Sequence, residues 1–185
     1  MNRKKITELI EQLGHQQKEE YSARICQTLI SLIDTEWAAI DTYLCFYPMS
    51  TEPNLLPVYE YLLKKCKHIY FPVTHEDCTM DFYKVHDLSN FREAAFHVME
   101  PTYQTSDCRY LATTECVCFT PGVIFDKNCN RVGHGKGFYD RFFASHSGSI
   151  KKAGVAFHVQ VLDTLNPNPW DIPLDILITE TQCLS

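Results

Sequence analysis

Arg131, Gly133, His134, Gly135, Lys136 and Gly137 put two full positive charges, an imidazole and three alternating glycines on one short stretch, with Asp140 close behind. Glycine tolerates positive φ and lets a ligand approach the main chain closely. Successive N–H groups freed this way form a concave nest for an anion. A helix starting just beyond Gly137 would add its positive end. With Arg131 and Lys136 alongside, the chemistry suits a di- or triphosphate better than a lone carboxylate. The loop is not a P-loop, because Gly137 rather than Ser or Thr follows Lys136, and it is not a dinucleotide fingerprint, because the third glycine comes one residue early. Alternating glycines alone also fit a flexible loop; the flanking Arg131, Lys136 and Asp140 are what favour a metal-bound nucleotide. A carboxylate beside phosphate requires a cation between them, and Mg2+ is held by one or two carboxylates plus phosphate oxygens and water. Asp171, in Trp170-Asp171-Ile172-Pro173, is the candidate second carboxylate. The alternatives are that Asp140 pairs with Arg141 or another nearby cation, and that Asp171 caps a turn.

These residues need a scaffold, and the apolar pattern supplies one. Ile6, Leu9, Ile10 and Leu13 recur at helical spacing before Gly14. Tyr21, Ile25, Leu29, Leu32 and Ile33 predict a second helix. Asp41–Tyr47 is a short apolar run of strand length, ended by Pro48. Pro57–Cys66 reads as a helix with proline in its first turn and Leu62 and Leu63 inward. His68–Phe71 reads as a strand stopped by Pro72, and Met80–Val85 as a weaker one. Asp87–Thr114 has little readable pattern, apart from Glu100-Pro101, an extended or turn dipeptide. Glu115–Thr120 predicts a buried strand, Pro121-Gly122 a turn, and Val123–Phe125 a continuation of the apolar run. After the glycine-rich loop come a helix from Phe138 to Phe143 and strands at Ala153–Phe157 and Ile176–Thr179. Short strands alternating with helices predict an α/β layered fold with a mainly parallel sheet flanked by helices, Rossmann-like, as a single domain over residues 1–185. Ligands in such sheets sit at the carboxyl ends of strands, where the glycine-rich loop falls.

Bulk composition narrows the class. The chain has 185 residues, is 45% hydrophobic and carries a formal net charge of −6. Acidic balance argues against a general nucleic-acid binder. No segment reaches the ~18 apolar residues of a membrane span, and the basic start at Arg3, Lys4 and Lys5 is interrupted by Thr7 and Glu8 before any secretory core. A soluble, cytoplasmic protein is expected. The nine cysteines lack C-x-x-C pairs; Cys45, Cys116 and Cys118 sit in apolar runs and read as small core residues rather than zinc ligands.

The stretch PGVIFDKNCNRVGHGKGFYDR closely resembles the signature of 5-formyltetrahydrofolate cyclo-ligases, which runs P-G-[apolar]2-F-D-x-x-G-x-R-[LV]-G-x-G-x-G-[YF]-Y-D-R. Softer likenesses follow in order: Tyr47-Pro48-Met49-Ser50-Thr51-Glu52, the Glu100-Pro101 step, and the tail from Ala156-Phe157 through Gln160 to Asp171 and Asp175. The chain departs from the pattern at Cys129, where glycine is usual, at Phe138 for tyrosine, and at Trp170 for a common histidine. Arg3 matches the arginine of a Lys-x-x-Leu-Arg element whose lysine would fall before Met1; Lys4 or Lys5 is the nearest source of that charge.

The resemblance implies ATP- and Mg2+-dependent ring closure of 5-formyltetrahydrofolate, a reduced folate, by a monomer or homodimer. It implies a nucleotide site of Arg3, Lys4 and the run Arg131, Val132, Gly133, His134, Gly135, Lys136, Gly137, Phe138 and Tyr139. Lys136 and Arg131 would neutralise charge moving toward the bridging oxygen. Tyr47 and Glu52 would contact the folate, together with His134, Gly135, Lys136, Gly137 and Phe138. Asp140 and Asp171 would hold Mg2+. Ordinary core packing is the plainer reading of any one aromatic here. A non-catalytic nucleotide- or folate-binding module, and a sugar-phosphate isomerase-like enzyme acting without ATP, are the competing functions.

Overall fold

A computed structural model describes residues 2–94, 98–111, 115–146 and 150–185. Helix α1 (Arg3–Gln12) is capped by Asn2, whose side-chain oxygen accepts the Lys5 N–H at 3.0 Å. Its anchors are Ile6 and Ile10, both buried. Gly14 breaks the run, and α2 (His15–Asp34) buries Ile25, Leu29 and Ile33 on the face their spacing predicts, joined there by Ser22 and Cys26. Next come β1 (Thr42–Leu44), α3 (Leu56–Lys64), β2 (His68–Thr74) and β3 (Met80–Val85). The stretch with little sequence pattern holds a small hairpin, β4 (Phe91–Glu93) with β5 (Met99–Pro101). Then follow β6 (Cys116–Thr120), β7 (Ile124–Asp126), β8 (Arg131–Val132), α4 (Phe138–Ser145), β9 (Ile150–Val155), β10 (Val161–Leu162), β11 (Ile176–Ile178) and β12 (Cys183–Leu184).

Seven strands form the main sheet in the order β12-β11-β9-β6-β1-β2-β3. The pairs from β11 to β2 are parallel, and the two edges, β3 and β12, are antiparallel. The mainly parallel sheet predicted from the sequence is therefore present. Alternation within strands divides the apolar residues between two faces. Tyr43, Ile69, Phe71, Val117 and Phe119 pack with α1, α2 and α3; Leu44, Cys116 and Cys118 pack with Phe142 and Phe143 of α4. Cys45, Cys116 and Cys118 are buried, as their apolar runs imply, and all nine cysteines are free thiols.

Several boundaries differ from the sequence pattern, β9 for one spanning Ile150–Val155 rather than Ala153–Phe157; two differences bear on the site. Pro72 does not end β2, which continues to Thr74. Proline lacks a donor and is tolerated where the strand has no neighbour on that side. The β1 pairing stops at Tyr70, so beyond it β2 pairs as a strand only with β3, Pro72 opposite Phe82, while the Thr74 N–H donates to Glu100 Oε1 at 2.9 Å. The second difference lies after Pro121-Gly122. The run continues as β7, but β7 leaves the main sheet and joins β10 and β8 in a three-stranded unit. Buried Gln160 fastens that corner, its side-chain nitrogen donating to the Gly122 and Val123 carbonyls at 2.8 and 3.2 Å. The glycine-rich loop thus springs from a side hairpin, not directly from a main-sheet strand.

Candidate active site

A cleft of about 840 Å³ opens at the carboxyl ends of the parallel strands. Its walls come from segments far apart in the chain: Arg3 of α1, Tyr47 and Glu52 after β1, Pro121 and Gly122 after β6, the loop Gly133–Gly137, and Asp171 after β10. The turn feeding the loop is built on Asp126. Its buried carboxylate accepts the Asn128, Asn130 and Leu165 N–H groups at 2.8–3.0 Å and the Asn130 side-chain amide at 2.9 Å. Cys129 stands in this turn with φ 60°, the left-handed region that favours glycine. The turn keeps its shape, and the Cys129 thiol is buried, with Sγ 3.6 Å from the Leu184 carbonyl oxygen.

The loop has the backbone that its glycines imply. Gly135 and Gly137 have φ of 97° and 67°, and Gly137 is the residue before α4. Gly133 packs on Arg131: a Cβ there would lie 2.7 Å from the Arg131 Nη1. His134, Gly135 and Lys136 are exposed to the cleft mouth. Loss of solvent around its ring, then the Arg3 and Arg131 guanidiniums, lower the His134 pKa. Arg3 reaches the loop from α1, and a Cβ on Gly135 would sit 3.7 Å from its guanidinium nitrogens. Lys4, expected beside the nucleotide, is exposed on the first turn of α1 and does not line the cleft.

Arg131 is more deeply placed than a surface phosphate ligand. Its side chain is only 5% exposed, and Nη2 donates to Asp140 Oδ2 at 3.1 Å. The guanidinium lies 5.4 Å from the Tyr139 ring centre, and Nε is buried without a partner. Both alternatives raised for the aspartates are therefore realised in part. Asp140 pairs with a neighbouring cation, Arg131 rather than Arg141, and also accepts the Ile172 N–H at 3.3 Å. Asp171 closes a turn through the Asn168 N–H and side-chain amide, at 2.7 and 3.0 Å. Both carboxylates still line the cleft, and each oxygen has two lone pairs, so coordinating capacity remains.

Glu52 also lines the cleft; it is half-buried and accepts the Met49 N–H at 2.9 Å. Burial pushes its carboxyl up to about 7, against that hydrogen bond. Tyr47 lines the same wall and packs on Phe91, ring centres 4.8 Å apart. Val132, Phe138 and Tyr139 complete the predicted set and all line the cleft. Sequence reasoning passed over Asn166 and Asn168, and noted Trp170 only as a replacement; all three are in the wall, and Trp170 is 71% exposed. Their segment, Asn166-Pro167-Asn168-Pro169, has no periodicity that could signal them. Arg141, considered only as a partner for Asp140, instead donates to the Cys78 and Lys136 carbonyls.

Sheet and site together define an α/β protein with a cationic, glycine-lined cleft at the carboxyl edge of a parallel sheet. Residues 2–180 match the 5-formyltetrahydrofolate cyclo-ligase family, and the chain belongs to it. A Caenorhabditis elegans protein named as a probable 5-formyltetrahydrofolate cyclo-ligase is 28% identical over 183 residues, covering 93% of this chain and 89% of that one. The Haemophilus influenzae 5-formyltetrahydrofolate cyclo-ligase is 27% identical over 166 residues, covering 88% and 87%. The solution structure of Aquifex aeolicus 5,10-methenyltetrahydrofolate synthetase superposes with a TM-score of 0.82 at 30% identity, covering 98% of this chain and 89% of that one.

Proposed function

We propose that this chain binds ATP, Mg2+ and 5-formyltetrahydrofolate in the one cleft and closes the folate to 5,10-methenyltetrahydrofolate, releasing ADP and phosphate. The observation that carries this reading is that two chemistries share one cleft. A glycine loop with Arg3 and Lys136 lines it together with Glu52 and Tyr47. Membership of the cyclo-ligase family supports the substrate pair.

The reaction needs no nucleophilic side chain. The formyl oxygen attacks the terminal phosphorus of ATP and ADP leaves. N10 of the folate then attacks the formyl carbon, loses its proton, and phosphate departs with the former formyl oxygen. Phosphoryl transfer of this kind is catalysed chiefly by positioning and charge stabilisation. Lys136 and Arg3 supply positive charge beside the loop, and the amides of Gly133–Gly137 cradle the phosphates. Arg131, buried and paired, acts from beneath: it sets the Asp140 carboxylate and carries Tyr139. Glu52 accepts N–H donors at the edge of the pterin, while Tyr47 and Phe138 offer apolar faces. Asp140 and Asp171 fit Mg2+, since both present hard carboxylate oxygens to the same cleft. A metal held this way would depend on the phosphates for its remaining ligands and would neutralise their charge. A non-catalytic binding module is not favoured, because the family and the relatives that this chain matches are cyclo-ligases.

The test mixes pure protein, ATP, Mg2+ and 5-formyltetrahydrofolate and follows methenyl absorbance. ATP-dependent growth of the signal is expected, with Lys136→Ala lowering kcat/KM about 10²- to 10³-fold and leaving the circular dichroism unchanged. Folded protein with no ATP-dependent product overturns the reading, and turnover of a sugar phosphate without ATP would replace it.

A further inference from the structure

We infer that Arg141 is a positioning residue that presets the phosphate loop, a role resting on the proposed nucleotide site. Two side-chain contacts carry it, added to a main-chain bond that any residue at this position would make. The Arg141 N–H donates to the Gly137 carbonyl at 3.1 Å, the first turn of α4. Its side chain reaches back, Nη2 donating to the Lys136 carbonyl. Its Nε donates to the Cys78 carbonyl at 2.9 Å, in the turn between β2 and β3. Cys78 itself has φ 63°. One residue thus ties the loop, the start of α4 and a distant hairpin together.

The consequence follows from peptide geometry. In a planar trans peptide the C=O of one residue and the N–H of the next point in opposite directions. With the Lys136 and Gly137 carbonyls both held toward Arg141, the Gly137 and Phe138 N–H groups are directed away from it. Those are donors that an anion nest needs aligned before the ligand arrives. The glycine at position 137 fits the same arrangement: a Cβ there would lie 3.2 Å from Arg141 Nη1, on a residue whose φ is already 67°. The fixed Lys136 carbonyl also anchors the base of the Lys136 side chain. Arg141 is exposed, so its removal leaves the core intact.

The experiment compares wild type with Arg141→Ala and Arg141→Lys. Backbone amide order parameters of the free protein are measured by NMR at residues 136–138, together with binding of Mg-ADP and the KM for each substrate. In Arg141→Ala, the order parameters are expected to fall from about 0.85 to below about 0.6 at these amides, Mg-ADP to bind at least about ten-fold more weakly, and KM for ATP to rise similarly. KM for the folate should move less than about two-fold. An ammonium lacks the fixed fork with which a guanidinium reaches two carbonyls at once, so Arg141→Lys should recover only part of the loss, while added guanidinium should restore affinity to Arg141→Ala. Weakened Mg-ADP binding with unchanged order parameters would overturn the inference, since Arg141 would then be a direct ligand. Unchanged order parameters and unchanged binding would overturn it as well. The order-parameter arm uses free protein, so a failure of the proposed cyclisation would not mask it.

Discussion

Glu52 carries the pH-sensitive chemistry of the cleft. Its folded value, about 7, lies above the ordinary 4.5 because burial penalises the carboxylate more than the Met49 N–H supports it. Between those values the folded chain keeps a proton that the unfolded chain has released. Stability contributed by this group therefore falls as pH rises from about 4.5 to about 7, and is flat above. The proposed binding role runs the other way. A neutral carboxyl cannot offer both oxygens to the pterin N–H donors, so folate affinity should rise through pH 7 and then level. Urea denaturation and KM for 5-formyltetrahydrofolate, measured from pH 5 to 8, check both signs. Glu52→Gln should abolish both slopes and raise the folate KM about ten-fold, the cost of an imperfectly matched buried hydrogen bond. A Gln variant that keeps the wild-type KM profile would remove Glu52 from folate recognition.

At the scale of the element, the turn at Asp126–Asn130 shows how a departure from the family pattern is absorbed. Cys129 takes the left-handed conformation at a cost of about 1–2 kcal/mol relative to glycine, offset by burying its thiol against the Leu184 segment. Cys129→Gly exchanges one term for the other and should be near neutral. Cys129→Ala loses the thiol while keeping the backbone cost, so it should be about 1 kcal/mol less stable than the glycine variant; chemical denaturation of the pair decides it, and equal stabilities would refute the account. What the sequence made legible follows the same logic of strength of signal. α1 and α2 were readable because long apolar periodicity locks a helix face. β6 was readable as an unbroken buried run, and the loop as a glycine pattern with charges. The hairpin of β4 and β5 was not, because three-residue strands with exposed members leave no alternation to detect. Pro72 misled because its tolerance depends on where β1 stops, a property of the neighbour and not of β2. The Arg131–Asp140 pair was one of several arrangements that spacing allowed; only the packing of Tyr139 and Gly133 around the guanidinium selects it.

At the scale of the whole molecule, α1 folds back onto the core and brings Arg3 to the cleft. Ile6 and Ile10 bury against the core, and α1 contacts the turn His158–Gln160. That docking, invisible in local spacing, carries Arg3 to Gly135. A nucleotide on the loop would then bridge segments that no local contact joins. Mg-ADP at a hundred times its Kd should stabilise the wild type by about 2.7 kcal/mol, a rise in Tm of about 5–10 °C for a chain of this size. Arg3 is exposed, so Arg3→Ala should leave the Tm of the free protein nearly unchanged. If it weakens Mg-ADP ten-fold, about 1.4 kcal/mol is lost and the shift at the same ligand concentration should be halved. Ile6→Ala separates docking from charge, since it should lower the Tm of the free protein through a loss of about 2–5 kcal/mol. Differential scanning calorimetry of the three proteins, with and without Mg-ADP, reads both effects. A full-size shift in Arg3→Ala would mean that α1 closes the cleft without contributing its charge to the phosphates.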